Sequence, residues 1–230
     1  MNTKMAQEVT APYYEDDHVT LYHGDCRKIM PQLAESFDIV ITDPPYNVGK
    51  DYGPGFDDQR SDDAYAAWSA EWFSISRSLC QRHVVFPGHG NLPMWYSICK
   101  PAAVGCWYKP GNSASSIIGF EEWEPWLYWH GGNKGLLGGS SVIKARLETG
   151  SRLSQIHPCP KPGGLMSQLI LKCRGFSVLD PFAGSGTTLT AAKFLGRKAV
   201  GIELNERYCE LAAERLSQGV LDFLDFADVV

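Results

Sequence analysis

The fold is decided by one stretch, Ser177-Val-Leu-Asp180-Pro-Phe-Ala-Gly184-Ser-Gly186-Thr-Thr188. A short apolar strand leads here into a glycine-rich turn and then into the start of a helix. Glycines without a Cβ atom let the backbone approach a ligand closely, and the amides at a helix N-terminus then face its negative group. The next strand ends at Glu203, where a carboxylate can accept hydrogen bonds from ribose hydroxyls. This combination predicts a site for an adenosine-containing cofactor.

The spacing of this turn differs from the G-x-G-x-x-G fingerprint of dinucleotide-binding proteins, because Leu189 stands three residues after Gly186. A bulky side chain at that position hinders the close approach of a pyrophosphate, which disfavours NAD. A cofactor with one carboxylate and no phosphate, such as S-adenosylmethionine, fits the two glycines and the two threonine hydroxyls better.

Strands and helices alternate on both sides of this stretch. Strands are predicted at His18 to His23, Phe37 to Thr42, His83 to Pro87, Ala103 to Lys109, Trp126 to His130, Ser177 to Leu179 and Ala199 to Glu203. Helices are predicted at about 26–34, 62–79, 92–99, 164–172, 186–195 and 206–216. Single helices between strands imply right-handed crossovers, so we expect an α/β fold: a Rossmann-like, doubly wound, mostly parallel sheet of seven strands. The fourth and fifth strands have no obvious helix between them and are predicted as an antiparallel edge pair.

Length and composition limit the class of protein. The chain has 230 residues, of which 44% are hydrophobic and 20% charged, as in one globular α/β domain. We expect an N-terminal extension over 1–17, a single domain over 18–217 and an acidic tail over 218–230. No apolar run approaches the roughly 18 to 20 residues of a membrane span, and the N-terminus lacks an apolar signal segment, so a cytoplasmic location without membrane contact is expected. Seven scattered cysteines without CxxC spacing predict reduced thiols and no metal site.

A second motif, Asp43-Pro44-Pro45-Tyr46, follows directly from the strand Phe37 to Thr42, at the sheet edge where open α/β folds place ligands. The prolines remove two backbone donors and leave the carbonyls of Asp43 and Pro44 as rigid acceptors. Such a turn suits an aromatic exocyclic amine, whose lone pair is delocalised into its ring. If Asp43 and the Pro44 carbonyl accept its two N–H bonds, the lone pair points at a methyl donor. Tyr46 offers a flat face on which an extruded base can stack.

Three motifs together resemble those of the S-adenosylmethionine-dependent amino-methyltransferases of DNA, the N6-adenine and N4-cytosine type. They are Asp43-Pro-Pro-Tyr46, His157-Pro-Cys-Pro-Lys161-Pro162 and the stretch from Asp180 to Thr188. The catalytic turn precedes the cofactor turn, as in the permuted β class of that family. The resemblance covers about His18 to Leu216. It implies methylation of adenine N6 in DNA, with the target base flipped out of the duplex.

The resemblance also implies roles for individual residues. Catalysis is expected from Asp43, Pro44, Pro45 and Tyr46. Cofactor binding is expected from Asp25, Cys26, His157, Lys161, Pro162, Asp180, Phe182, Ala183, Gly184, Gly186, Thr187, Thr188 and Glu203. Within this set Asp25 accepts from the adenine of the cofactor, whereas Lys161 and Pro162 flank its carboxylate. For His157 a structural role is an equal alternative.

Little of the chain is left for reading DNA, and two segments, 47–60 and 131–156, are the expected recognition regions. The net charge is −5, but the second segment is basic, and DNA contacts are expected from Lys134, Lys144, Arg146 and Arg152. Trp107, Trp123, Trp126 and Trp129 are expected in core or edge packing rather than stacked on bases. Double-stranded DNA is the expected substrate, and the protein is expected as a monomer or homodimer.

Several alternatives stay open on sequence grounds. Cytosine N4 suits the same acceptors, although in the family Asp at the first position of the turn leans to adenine. RNA or the amide of a protein glutamine also carries a planar NH₂ group. From another class, the chain could be a methyltransferase-like DNA-binding module without turnover. A partner restriction enzyme and a stand-alone or phage role are equally compatible with the sequence.

Overall fold

The computed structural model describes residues 10–52, 58–132, 138–147 and 161–218. Its strands are β1 (Tyr14–Glu15), β2 (Val19–His23), β3 (Ile39–Thr42), β4 (His83–Val85), β5 (Ala103–Tyr108), β6 (Ser115–Ser116), β7 (Gly119–Phe120), β8 (Trp123–Trp129), β9 (Val142–Lys144), β10 (Ser177–Asp180) and β11 (Lys198–Glu203). Its α-helices are α1 (Cys26–Ile29), α2 (Asp62–Leu79), α3 (Leu92–Ile98), α4 (Gly163–Cys173), α5 (Thr187–Phe194) and α6 (Glu206–Ser217), and a 3₁₀ turn, Met30–Gln32, follows α1.

Nine strands of the described chain form one sheet in the order β1-β2-β11-β10-β3-β4-β8-β5-β9. The five from β2 to β4 are parallel neighbours. β8 runs antiparallel to both β4 and β5, which confirms the antiparallel pair. All seven predicted strands are present, but the expected count of seven is wrong. The two-residue β1 and three-residue β9 extend the two edges, and they are too short to show a periodicity in the sequence.

Helices cover both faces of the sheet, so the doubly wound arrangement is confirmed. α4, α5 and α6 pack on one face through residues such as Leu165, Leu189 and Ala212. α1, α2 and α3 pack on the other through residues such as Ile29, Trp72 and Trp95. Side chains of β3 alternate between the two clusters, as those of a strand buried on both sides must.

Local sequence explains where α2 begins. The hydroxyl of Ser61 accepts a hydrogen bond from the Ala64 amide, and Asp62 and Asp63 stand in the first turn, where the helix dipole favours negative charge. The buried face of the helix carries Tyr65, Trp68, Trp72 and Phe73 at helical spacing, and all four pack on the sheet. The helix therefore has the bounds that the sequence predicts.

The chain direction creates a crevice between β3 and β10. These strands are parallel neighbours, but the chain leaves β3 toward β4 on one side and leaves β10 toward β11 on the other. Ligands of open α/β sheets bind at such a switch point, beyond the carboxyl ends of the strands. The Thr42 hydroxyl at the end of β3 donates to the carboxylate of Asp180 at the end of β10, 2.7 Å away. One hydrogen bond thus joins the two turns that carry the motifs.

Other predictions concern a membrane span, a metal site, the cysteines and the two ends of the chain. Within residues 10–52, 58–132, 138–147 and 161–218, no helix is long and apolar enough to span a membrane. Over the same ranges no cluster of candidate metal ligands is found. The six cysteines in these ranges are free thiols. The tail from 219 and the first nine residues lie outside the described residues.

Candidate active site

A cavity of about 710 Å³ opens at the carboxyl edge of the sheet, at the crevice between β3 and β10. It brings together most of the predicted site residues. Those that line it are Asp25, Cys26, Asp43, Pro44, Pro45, Tyr46, Lys161, Asp180, Phe182, Ala183, Gly184, Thr187, Thr188 and Glu203. Two motifs separated by more than a hundred residues of chain therefore share one chamber.

The catalytic turn forms one half of the cavity. The Lys161 ammonium lies 2.7 Å from Asp43 Oδ2, and the Tyr46 hydroxyl contacts Asp43 Oδ1. The same hydroxyl lies 2.7 Å from Glu124 Oε1. Lys161 also lies 3.0 Å from Glu124 Oε1, and the Lys109 ammonium lies 3.6 Å from Glu124 Oε2. Two carboxylates and two ammonium groups thus neutralise each other around one tyrosine.

The pKa values of this half follow from burial and from these pairs. Burial raises the pKa of Asp43, the Glu124 charge raises it further, and Lys161 opposes both. Burial also raises the pKa of Tyr46 well above its ordinary value. Burial acts against the Lys161 ammonium, but the two neighbouring carboxylates raise its pKa. For Glu124 burial acts upward, and Lys161 and Tyr46 bring its pKa below the ordinary value. Lys161 and Glu124 are therefore charged at neutral pH.

Two acceptors in this turn differ in availability. The Pro45 carbonyl accepts from the Tyr65 hydroxyl at 2.6 Å, so it is used within the protein. Pro44 lines the cavity, and within the described part of the chain no hydrogen bond reaches its carbonyl. Gly88, with a φ of +67°, packs against the ring of Tyr46, because a Cβ atom there would lie 3.1 Å from two ring carbons. The ring is thus fixed from one side by a residue without a side chain.

The glycine turn forms the other half of the cavity. Glu203 accepts from the amides of Gly184 and Asn205, at 2.8 and 2.7 Å. Asp180 Oδ1 accepts from the Thr42 hydroxyl and from the Phe182 amide. Burial raises the pKa of Asp180 to about 6 and that of Glu203 to about 7.

Neither of these carboxylates forms a salt bridge with a cation in the described part of the chain. Among the salt bridges that the described residues form, none involves Asp180 or Glu203. A buried carboxylate without a partner charge is costly, and a nearby positive charge relieves that cost. This half of the cavity therefore suits a ligand that carries hydroxyl donors and positive charge.

Phe182 is held between the two halves by an aromatic cluster. Its ring lies 5.5 Å from that of Trp68 and 5.0 Å from that of Trp72. The Arg60 guanidinium in turn lies over Trp68, 5.0 Å from its ring centre. Phe182, Trp68 and Arg60 all line the cavity. The wall here is rigid and aromatic, as a site for a flat ring requires.

Lys161 lies in the catalytic half of the cavity, where its ammonium contacts Asp43 and Glu124. Its place beside the carboxylate of the cofactor, which the family resemblance implies, stays a prediction. Pro162 does not line the cavity and instead occupies the N-cap position of α4. The physical reason is charge: two buried carboxylates of the catalytic half attract the nearest flexible ammonium group.

Gly186 and Asp25 both make contacts within the protein. Gly186, with a φ of +79°, faces α6, where a Cβ atom would lie 2.9 Å from the Cβ of Ala212. It lets two helices approach each other and does not line the cavity. Asp25 lines the cavity, but its carboxylate caps α1 and forms a salt bridge of 2.6 Å with Arg27.

Of the two expected recognition regions, 47–60 contributes residues to the cavity lining, whereas Lys144 and Arg146 of 131–156 lie outside it. Asp58 accepts from the amides of Asn47, Val48 and Lys50 and so organises the described part of the loop 47–60. Lys50, Tyr52 and Arg60 of this loop line the cavity. Lys144 and Arg146 are exposed and lie outside the cavity lining, and Lys134, Arg152 and His157 lie outside the described residues.

The tryptophans are mostly structural, as expected. Trp107, Trp126 and Trp129 are buried. Trp123 is 45% exposed, and its ring meets that of His89 edge-on at 4.5 Å. Because His89 lines the cavity, Trp123 is the tryptophan of this set that lies near the cavity rim with an exposed surface.

Sequence reasoning missed Glu124 and Lys109. Both are nearly buried and line the cavity. The available signal was one carboxylate inside the aromatic strand Trp123-Glu-Pro-Trp-Leu-Tyr-Trp129, where a solvated acid has no place. Lys109 directly follows β5, the strand that pairs with β8.

Comparison with known proteins points in one direction. A family model described as DNA methylase, of the N6/N4 type, matches residues 105–214. The type II methyltransferase M.HpaI of Haemophilus parainfluenzae is 29% identical over 224 residues, covering 82% of this chain and 71% of that protein. The DNA adenine methyltransferase YhdJ of Escherichia coli (strain K12) is 27% identical over 243 residues, covering 86% of this chain and 82% of that protein.

Solved structures agree with the sequence relatives. The complex of M1.HpyAVI with SAM superimposes with a TM-score of 0.65 at 25% identity, covering 86% of this chain and 98% of that one. The PvuII DNA methyltransferase, described as cytosine-N4-specific, gives a TM-score of 0.72 at 18% identity, covering 95% of this chain and 93% of that one. The second similarity concerns the fold alone.

Proposed function

We propose that this chain, which matches the DNA methylase family of the N6/N4 type over residues 105–214, transfers a methyl group from S-adenosylmethionine to the exocyclic N6 amine of adenine in double-stranded DNA. The observation that carries the proposal is the pairing of two half-sites in one cavity. Asp43 and the Pro44 carbonyl supply hydrogen-bond acceptors in one half, and Asp180 and Glu203, which form no salt bridge with any described residue, supply carboxylates in the other.

The glycine half fits the cofactor by charge and by shape. S-adenosylmethionine supplies a methyl group activated by a positively charged sulfur, and it also carries an ammonium group and ribose hydroxyls. Glu203 at the end of β11 would accept from the ribose hydroxyls. Asp180 would face positive charge, which favours its ionised form. Gly184 leaves the space that a bulky side chain would fill.

The catalytic half would prepare the amine. Asp43 and the Pro44 carbonyl accept the two N–H bonds, so the nitrogen lone pair leaves the plane of the base. This lone pair forms the new N–C bond while the S–C bond of the donor breaks and its electron pair stays on sulfur. One proton then leaves the amine, and the raised pKa of Asp43 makes its carboxylate a suitable acceptor. Orientation and preorganised acceptors supply the rate gain.

Adenine is favoured over cytosine by the first residue of the turn and by one relative. Asp43 stands where the family resemblance leans to adenine, and the E. coli relative is described as a DNA adenine methyltransferase. The cytosine-N4-specific neighbour shares the fold at 18% identity, which carries no specificity. Cytosine N4 therefore stays the alternative substrate, because its amine offers the same two N–H donors.

The base must leave the duplex to reach this cavity. The acceptors lie inside the crevice, so a stacked base could not bring its amine to Asp43. Lys144 and Arg146 are exposed and would contact phosphates, and the loop 47–60 would border the target base. Either a monomer or a homodimer could bind the substrate in this way.

Methyl transfer to defined DNA tests the proposal. Purified protein is incubated with labelled S-adenosylmethionine and a panel of duplexes, and the product is digested to nucleosides for mass spectrometry. We expect N6-methyl-2′-deoxyadenosine, formed at a defined DNA sequence. Exclusive N4-methylcytosine would establish the alternative, and methylation of RNA or protein but not of DNA would overturn the proposal.

A further inference from the structure

Glu124 holds a place in the site that the proposed acceptor role of Asp43 does not explain. It lies on β8, is 9% exposed and lines the cavity. Its Oε1 atom lies 2.7 Å from the Tyr46 hydroxyl and 3.0 Å from the Lys161 ammonium. Its Oε2 atom faces Lys109 at 3.6 Å. A carboxylate this buried must be matched by donors, and here it has two within hydrogen-bond distance and the Lys109 charge nearby.

Asp43 is bound by two of the same donors. Tyr46 contacts its Oδ1 atom, and Lys161 lies 2.7 Å from its Oδ2 atom. An amine that donates to Asp43 therefore competes with Tyr46 and Lys161 for the same two oxygens. A buried ammonium or hydroxyl that loses its acceptor without a replacement costs the full desolvation of that group. The two donors need a second acceptor within reach, and Glu124 is already in contact with both.

We infer that Glu124 is a positioning residue for methyl transfer, which keeps Tyr46 and Lys161 in place when Asp43 exchanges them for the amine of the target base. This inference rests on the proposed function. Lys109 supports the role because it balances the second oxygen of Glu124. The exchange then moves no charge out of the cluster and exposes no unpaired donor.

Removing the charge of Glu124 should tighten the hold on Asp43. In Glu124→Gln the Lys161 ammonium keeps a single carboxylate partner, Asp43, so the amine competes for an acceptor that is bound more firmly. Lys161, Tyr46 and Glu124 act on Asp43 directly. Asp180 and Tyr65 also interact with Asp43, whereas Lys109 acts on Glu124. Of these, Glu124 raises the pKa of Asp43. The substitution should therefore lower it.

The test is single-turnover methylation of a DNA duplex by the full chain, measured across a pH series. For Glu124→Gln we expect a rate constant about tenfold to a hundredfold below that of the parent, the range for a lost hydrogen bond to a charged group. The acidic limb of the pH–rate profile of this variant should move to lower pH, while the dissociation constants of S-adenosylmethionine and DNA change little. Glu122→Gln, an exposed neighbour on the same segment, is the matched control and should behave as the parent.

In Lys109→Met the acidic limb of the pH–rate profile should shift in the opposite direction. It removes positive charge from the cluster, so the acidic limb should move to higher pH. Glu124→Asp, which keeps the charge, should recover part of the rate. Thermal melts of all variants separate these effects from loss of folding, and Lys109→Met decides the sign if Glu124→Gln does not fold.

Two outcomes would overturn the inference. In one, Glu124→Gln has the rate and the acidic limb of the parent. In the other, Glu124→Gln and Lys109→Met lower the rate only as far as they lower the melting temperature, and neither shifts the acidic limb of the pH–rate profile. A parent protein that transfers no methyl group to any DNA would instead contradict the proposed function itself, so the two failures are distinguishable.

Discussion

The two halves of the cavity solve the problem of buried carboxylates in opposite ways. In the catalytic half, Asp43 and Glu124 are matched by the ammonium groups of Lys161 and Lys109. In the glycine half, Asp180 and Glu203 rely on amides and a hydroxyl, without a cation among the described residues, and burial raises the pKa of both. The first half is balanced by its own side chains, whereas a positively charged ligand would stabilise the second.

This difference matches the two ligands that we propose. A nucleobase amine is neutral, so it suits a half that is electrically balanced. S-adenosylmethionine brings positive charge, so it suits a half with excess negative charge. Variants that change one half only test whether the two halves have these separate roles.

The largest effect is expected from Asp43→Ala. It removes the side-chain acceptor on which the reactive geometry of the amine depends, and Asp180 and Glu203 remain to hold the cofactor. We expect the methylation rate to fall by a factor of about 10² to 10³ or more, with cofactor affinity nearly unchanged. Single-turnover rates and calorimetric titration check this. A parent-like rate would place the amine acceptor elsewhere.

Glu203→Gln should act on the other half. It removes the negative charge that would accept from the ribose hydroxyls, a loss of about 1.5 to 3 kcal/mol or roughly tenfold to a hundredfold in affinity. Because the pKa of Glu203 is about 7, cofactor affinity in the parent should also weaken as pH falls below neutral. Unchanged affinity in the variant at pH 8 would remove Glu203 from the cofactor site.

Asp180→Asn should make the protein more stable at alkaline pH. The pKa of Asp180 is about 6 in the folded protein against an ordinary 3.8, so this group favours folding below pH 4 and loses that contribution as pH rises through 6. Asn keeps the acceptor for Thr42 and Phe182. We expect the free energy of unfolding at pH 8 to rise by about 1 to 3 kcal/mol, with no difference near pH 4. Chemical denaturation at the two pH values checks this, and an equal change at both would exclude a titration effect.

The smallest effect concerns exposed charge outside both halves. Replacing Lys144 and Arg146 by Ala should reduce the slope of log affinity for DNA against log salt by about one to two, because each phosphate contact contributes about 0.9. Binding isotherms at several salt concentrations measure the slope. An unchanged slope would mean that this edge of the sheet does not face DNA.

The sequence predicts the scaffold better than the contacts inside it. α2 could be placed because Ser61 and two acids mark its start, and the strands because apolar runs end at the two motif turns. β1 and β9 have too few residues for a periodicity, and β9 pairs with β5 through a register that only the folded sheet defines. Local patterns therefore determine the layers, and the edges depend on tertiary pairing.

The contacts of Lys161 and Glu124 illustrate what local patterns leave out. Lys161 is 118 residues from Asp43 along the chain, and Glu124 is 78 residues from Tyr46. Which carboxylate an ammonium group meets depends on where β8 lies beside β4 and on the balance of buried charge. The motif around Lys161 could suggest a charged role, but it could not distinguish the cofactor from the catalytic turn.

The central difference between the two halves can be measured as the number of protons released when the cofactor binds. Titration calorimetry of S-adenosylmethionine binding at about pH 6.5, in buffers of different ionisation enthalpy, counts the protons released. At that pH Asp180 and Glu203 are partly protonated, and positive charge beside them should ionise them. We predict net proton release that falls in Glu203→Gln and persists in Asp43→Ala. Binding without proton release, or release lost in Asp43→Ala and kept in Glu203→Gln, would contradict the account.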